Sequence, residues 1–395
     1  MARIEDIAEQ VAMGPFGSSI KVSTFVDTGI PVISGEHLNE ARLSEARFNF
    51  VAEEHADQLR RANVERGDVV LTHAGNIGQV SYIPAHSQYD RYIISQRQFY
   101  VRCDGSKMLP EFLTYYLRSR EGQHKVLANA SQTGVPSIAQ PVSYVKTVEV
   151  PTPPVAEQRA ITDVLVALDD KIESNRRLVR TSELILDAEA THLAGTAVAL
   201  AELVEVSRTV TDPQALADTE VDLFSIPAFD SVGRPERVVA SLIKSGKSLV
   251  DAESVLLSRL NPRIPRLWHV VPDPARPALC STEFMVLRPS PSLTLADVWV
   301  ACRQPIFLEE MVQRATGTSG SHQRVRPDDV LTIEVADPRG WSAEARDEAT
   351  VLLNLIGIAR RENDRLAALR DTLLPELMSG RLSVKGAERV AEALV

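Results

Sequence analysis

Cysteine is scarce: Cys103, Cys280 and Cys302 are the only three in 395 residues. None forms a Cys-x-x-Cys pair, and no histidine stands at zinc-ligand spacing. That excludes a disulfide scaffold and fits a reducing, cytoplasmic setting, with each thiol expected to pack as a small hydrophobe. Long apolar runs are also missing. The nearest, Ala194 to Val206, is broken by Glu202 and Glu205 and falls short of the ~20 residues that span a bilayer. The first residues carry Glu5, Asp6 and Glu9 without an apolar stretch, so no signal peptide is expected.

Recognisable catalytic machinery is absent as well. No Gly-rich dinucleotide fingerprint, His-Glu-x-x-His or Gly-x-Ser-x-Gly occurs. Ser245-Gly246-Lys247-Ser248 imitates the end of a phosphate loop, but Ser241 stands where that loop needs glycine, so a basic surface turn is expected instead. Thr152-Pro153-Pro154-Val155 lacks the Asn/Asp and the aromatic that an amino-methyltransferase uses to grip a base. The eight histidines show no ligand spacing, so no metal site is expected. A net charge of −10 argues against a nucleic-acid binder when taken over the whole chain. The charge is uneven, however. Lys244, Lys247, Arg259, Arg263 and Arg266 face only Asp251 and Glu253 in their stretch, whereas residues 157–189 are acidic. Local fields, not the total, steer a ligand.

What the chain does contain is itself, twice. Val69-Val70-Leu71-Thr72 returns as Val255-Leu256-Leu257-Ser258, and Ile94 to Arg102 returns as Cys280 to Arg288. Ser131-Gln132-Thr133-Gly134 returns as Gly317-Thr318-Ser319-Gly320, each time about 186 residues later. A period this long is a duplicated domain. Each copy mixes strand and helix signals. Gly29 to Gly35 and Gly67 to Thr72 read as strands behind glycine turns, and Pro110 opens a helix where its missing N–H costs nothing.

After each copy the period changes. Ile161, Leu165, Leu168, Ile172, Asn175, Val179, Ser182, Leu186, Glu189 and Leu193 repeat at four-three spacing. Leu352, Ile356, Ala359, Asn363, Leu366, Arg370, Leu373 and Leu377 do the same. These are two heptad seams, the first on a helix of about 38 residues and about 57 Å. Ser379-Gly380 supplies a stop, and Pro375 is expected to kink or end the second helix. The two helices most simply pair antiparallel, with Asn175 and Asn363 fixing register.

Several segments resemble one family. Pro153-Pro154-Val155-Ala156-Glu157-Gln158-Arg159-Ala160-Ile161, continuing through Leu168-Asp169-Asp170-Lys171-Ile172 to Leu178, resembles the helix of specificity (S) subunits of type I restriction–modification systems. Leu369 to Gly380 resembles their second helix. Gly14-Pro15-Phe16-Gly17-Ser18-Ser19 with Gly29 to Ile33 resembles the opening of their target-recognition domains, and Leu257 to Arg263 and Thr316 to His322 resemble parts of the second. One departure is that Asp337-Pro338-Arg339-Gly340 replaces the Pro-Pro-x-Ala-Glu-Gln lead-in before the second helix.

The resemblance implies a non-enzymatic, cytoplasmic DNA-recognition subunit. Two recognition domains each read half of a split site, and the helices set the spacer. Two methyltransferase subunits dock on those helices and carry S-adenosylmethionine, which this chain does not, and translocating nuclease subunits can join. The expected fold is mixed α/β with a pseudo-two-fold: recognition domain 1 over 1–155, spacer helix 156–195, recognition domain 2 over 196–341, spacer helix 342–380, and a tail over 381–395. Candidate DNA contacts are Ser18, Ser19, Lys21, Asn76, Gln96, Lys244, Lys247, Arg259, Asn261, Arg263, Ser319, Ser321, His322, Gln323 and Arg324. Lysine and arginine suit phosphate or guanine, and asparagine and glutamine suit adenine. Gly134 and Gly320 suit positive φ or close approach. Candidate spacer and docking residues are Ile161, Leu165, Leu168, Ile172, Asn175, Leu352, Ile356, Asn363, Leu366 and Leu373. A protein-binding scaffold without DNA and a free-standing enzyme remain alternatives, separable by salt-dependent duplex binding and by methyl transfer without a partner.

Overall fold

The computed structural model describes the chain except residues 16, 18, 46, 132–133, 232, 318–322 and 393–395. It resolves into two compact units, residues 1–169 with 367–395, and residues 170–366. The two long helices, Val155–His192 and Ala343–Met378, each contribute to both units.

In unit 1 a four-stranded antiparallel sheet sets Gln98–Cys103 between Ala8–Met13 and Asp68–Thr72, with Val80–Tyr82 outside. Asp68–Thr72 is buried along its whole length, which explains a continuous apolar run in place of alternation. A second sheet is five-stranded. Ile30–Ile33 and Arg91–Ile94 run parallel at its centre; Asn49–Val51 and Phe25–Val26 extend one side, and Asn63–Glu65 the other. Val32, Ile33, Leu38, Val51, Val64, Val70, Tyr92 and Tyr100 form the core between them.

Unit 2 repeats this plan. Its four-stranded sheet places Phe284–Pro289 between Val204–Ser207 and Ser254–Ser258, with Leu267–Val270 outside. In its five-stranded sheet, Glu220–Phe224 lies parallel to Ala278–Cys280, with Glu236–Val239 on one side and Lys247–Leu249 on the other. One strand breaks the likeness. Val210–Thr211 pairs with Lys247–Leu249, so it adds to the edge opposite the one taken by Phe25–Val26 in unit 1. The edge of unit 1 carries a cleft of about 570 Å³ lined by Phe25, Phe48, Phe50 and Tyr89.

The helix seams are largely as the spacing predicts. Ile161, Leu165, Leu168, Ile172, Asn175, Ser182 and Leu186 are buried on the first helix, and Ile356, Ala359, Leu366, Leu373 and Leu377 on the second. Val179, Leu193, Asn363 and Arg370 are half-buried, and three further positions depart from expectation. Glu189 is exposed and Ala190 takes its place, because the stripe drifts by one residue near the end of a straight 3.6-residue helix. Leu352 is half-buried while Leu353 is buried, the same one-residue drift. Pro375 does not end its helix, which runs to Met378. The proline falls within the last turn, with three helical residues after it, and Gly380 at φ +70° makes the stop.

Within unit 2 the helix segments run antiparallel, since Asn175 Nδ2 donates to Glu362 Oε2 at 2.7 Å and Arg360 Nη2 to Glu183 Oε1 at 2.6 Å. Asn175 therefore meets a carboxylate, not the other seam asparagine, and the Asn363 side-chain oxygen is buried without a hydrogen bond. Within unit 1, Asp169 accepts from Tyr115 Oη at 2.6 Å and Arg370 Nη1 at 2.7 Å.

Candidate nucleic-acid interface

In both units three loops meet at one end of the four-stranded sheet, and main-chain hydrogen bonds hold them in the same way. In unit 1, His73 N donates to Arg97 O at 2.9 Å, Ile138 N to His73 O at 2.8 Å, and Gly75 N to Pro136 O at 2.9 Å. In unit 2, Arg259 N donates to Glu283 O at 2.9 Å, Val325 N to Arg259 O at 3.2 Å, and Asn261 N to Gln323 O at 2.8 Å. The turn beneath is shared as well: Ser95 N reaches Ile33 O and Gln98 N reaches Ser95 O, while Ser281 N reaches Phe224 O and Phe284 N reaches Ser281 O. Gly75 and Asn261 hold the same left-handed position, at φ +85° and +46°. Glycine takes that conformation freely, and asparagine is among the few other residues that tolerate it. Gly134 also has positive φ, at +79°.

The side chains on this shared frame differ. Unit 1 exposes Asn76, Gln96 and Arg97. Arg97 has no hydrogen-bond or ion-pair partner among the described residues, and its Nη1 lies 3.3 Å from where a Cβ on Gly75 would sit. Burial holds His73 below the usual histidine range, so its ring, in contact with Gln96 O at 3.2 Å, is neutral at pH 7. Pro262, Thr282 and Glu283 stand at the corresponding places in unit 2. Its cations come from elsewhere on the loops. Arg263 is exposed and unpartnered among the described residues. Arg324 Nε donates to Glu283 Oε1 at 2.9 Å. Arg259 is committed inward, to Thr282 O at 2.8 Å and Val325 O at 3.3 Å, so it ties the loops together. The side-chain oxygens Asn261 Oδ1 and Glu283 Oε2 are buried without hydrogen bonds.

The floor beneath the loops also differs. In unit 1 it is polar: Ser95 Oγ donates to Gln98 Oε1, Gln98 Nε2 approaches Thr72 Oγ1 at 3.5 Å, and Thr72 Oγ1 meets Gln79 Oε1 at 3.2 Å. Gln79 Nε2 closes the chain on Gly35 O at 2.9 Å. In unit 2 it is aromatic: Trp268 packs on Phe224, Phe229 and Phe284 with centroids 4.9, 5.3 and 6.4 Å away.

The remaining candidates fall in several places. Ser19 and Lys21 follow the strand Ala8–Met13; Ser19 O contacts His55 Nε2 at 2.8 Å, and Lys21 is exposed. Lys247 starts a strand whose next residue, Ser248, pairs with Cys280 beside the 281–283 turn. Its Nζ meets Ser245 O at 3.0 Å, and burial lowers its pKa. Lys244 is exposed and unpartnered among the described residues. Arg266, part of the same basic stretch, is 6% exposed and grips Asp230 at 2.6 and 2.8 Å, so it builds structure. Ser18, Ser319, Ser321, His322 and Gly320 lie outside the described residues. Sequence reasoning passed over Arg97, although it lies inside the repeated Ile94 to Arg102 segment. It also passed over an apolar series off the seam. Leu178 and Ile185, seven residues apart on the first helix, and Val351 and Ile358, seven apart on the second, are all at least 40% exposed.

Among the described residues no cluster of three or more His, Cys, Asp or Glu could hold a metal ion, and no helix is long and apolar enough to cross a membrane. Cys280 and Cys302 are free and buried, with thiols pushed up to about 12 by burial, while Cys103 is partly exposed.

Fold and loops together define a duplicated α/β protein with two like frames and unlike recognition surfaces. A family model described as type I restriction modification DNA specificity domain matches residues 2–180 of the chain. It is 28% identical over 133 residues to the type I restriction enzyme HindI specificity subunit of Haemophilus influenzae, a match spanning 33% of this chain and 28% of that protein. Its fold resembles the crystal structure of a type I restriction-modification S subunit from M. genitalium, with TM-score 0.57, 15% identity and 95% of both chains covered. The HsdS subunit of Thermoanaerobacter tengcongensis gives a TM-score of 0.37 at 16% identity over 96% of both chains.

Proposed function

We propose that this chain is the non-catalytic, cytoplasmic DNA-specificity subunit of a type I restriction–modification complex, and that its two units read the two halves of a split site. The observation that carries this is one main-chain frame bearing two different donor sets. Asn76, Gln96 and Arg97 in unit 1, and Arg263, Gln323 and Arg324 in unit 2, are residue types that read base edges or hold phosphates. An unequal pair of readers suits a non-palindromic, bipartite site. The family match to residues 2–180 supports the DNA-specificity role.

Two methyltransferase subunits, carrying S-adenosylmethionine, are the partners of this reading; a nuclease subunit is a further one. The apolar residues Leu178, Ile185, Val351 and Ile358 support docking on the long helices, because apolar side chains at heptad spacing fit a partner helix. The seam residues named above serve instead to pack the helices.

The test is co-expression with the adjacent methyltransferase, followed by mapping of methylated adenines. A split motif with a fixed gap, and duplex binding that weakens steeply with salt, are expected. Arg263→Ala should weaken that binding with no change in folding. Failure of the co-purified complex to bind any duplex, while it binds other proteins, would replace this reading with the scaffold.

A further inference from the structure

The strongest unused contrast in the molecule is a single turn position. Residue 97 in unit 1 and residue 283 in unit 2 each accept the same main-chain hydrogen bond, from His73 N and Arg259 N. One is arginine and the other glutamate. Resting on the DNA-reading function above, we propose that this position sets base preference in both units. In unit 1, Arg97 contacts a guanine edge directly. In unit 2, Glu283 is a positioning residue that orients Arg324.

Three observations carry the first half. Arg97 is exposed and has no partner among the described residues, so its donors are not spent inside the protein. Its backbone is pinned by the loop frame, which fixes where the side chain starts. Its guanidinium lies over Gly75, whose missing Cβ leaves the space it occupies. Arginine has five donors and no acceptor. In the major groove only guanine offers two adjacent acceptors, O6 and N7, that match its fork. Asn76 and Gln96, exposed on the same loops, suit an adjacent adenine.

In unit 2 the carboxylate reverses the logic. Glu283 Oε1 accepts from Arg324 Nε at 2.9 Å, and Glu283 Oε2 lies 3.9 Å from Arg259 Nη2. Arg259 in turn is bonded to both neighbouring loops. Glu283 therefore joins one arginine that holds the loops to another that is 44% exposed. A guanidinium held by a carboxylate keeps its planar fork oriented and loses less freedom on binding.

The experiment uses the full chain co-purified with its methyltransferase. Binding is measured to the methylation-mapped site and to duplexes changed one base pair at a time, over a range of salt. Arg97→Ala and Arg97→Lys should each reduce discrimination at one base pair of one half-site by roughly 10- to 100-fold, with little change in salt slope. Glu283→Gln should relax discrimination in the other half-site only, and Glu283→Asp should restore part of it. A uniform loss across all duplexes with a salt slope reduced by about one would make Arg97 a phosphate contact and overturn the assignment. Unchanged discrimination in both variants would overturn it too. Failure of the wild-type complex to bind any duplex would defeat the DNA reading itself.

Discussion

Unit 1 rests its recognition loops on glutamines and hydroxyls, and unit 2 rests the same loops on a tryptophan and three phenylalanines. Backbone geometry survives this exchange: the three loop bonds and the turn beneath them recur almost unchanged. The comparison teaches that the frame is carried by main chain, while the side chains below and above it are free to diverge. A polar floor demands that every group be satisfied, whereas an aromatic floor needs only shape and burial. The two units therefore respond to damage in different ways.

The largest effect should come from the aromatic floor. Trp268 is 2% exposed, and Trp268→Ala should cost about 3–5 kcal/mol through lost burial and a cavity. Hydrogen exchange is the measurement: the strands Ser254–Ser258 and Phe284–Pro289 should lose protection while Asp68–Thr72 and Gln98–Cys103 keep theirs. Loss of protection in all four strands would break the comparison.

A smaller effect separates the units by pH. Asp364, on the part of the second helix that belongs to unit 2, is raised to about 6, first by burial and against the pull of Arg234, Arg237 and Arg360, with Asp222 adding to the rise. An acid whose folded pKa lies above its unfolded value binds its proton more tightly in the native state. Its contribution is full below about pH 4 and is lost as pH rises through about 6. Unit 2 should thus lose about 2–3 kcal/mol over that range, an effect that Asp364→Asn abolishes. Denaturation followed as a function of pH checks the sign; a unit 2 that gains stability across that range removes Asp364 as the cause.

The smallest effect tests the frame directly. Asn261→Gly should be near neutral and Asn261→Ala should cost about 1 kcal/mol, because alanine resists positive φ. Gly75→Ala should cost more than Asn261→Ala, since its new methyl also meets Arg97 Nη1. Denaturant midpoints rank the three, and equal costs for the two alanines would mean that Arg97 moves away freely.

Much of the fold could be read from the chain because burial imposes a period. The repeated apolar runs at 69–72 and 255–258 became matching central strands, and four-three spacing became two helices of 38 and 36 residues. Less of the interface could be read, because whether an arginine is available depends on partners distant in sequence. Arg259 looked like a ligand contact, yet Thr282 and Val325 hold it. Arg266 was counted in a basic stretch, yet Asp230, 36 residues away, grips it. The edge exchange of Val210–Thr211 left no trace in the sequence either, since a two-residue strand carries no periodic signal.

Holding the loop tips mainly through amide and carbonyl groups, with Arg259 adding side-chain ties in unit 2, has an evolutionary consequence. Such a mount is indifferent to the identity of what projects from it, provided that one residue per unit tolerates the left-handed turn. On the DNA reading proposed above, substitutions at the tips would rewrite the recognised letters without renegotiating the scaffold, and the two copies would be rewritten independently.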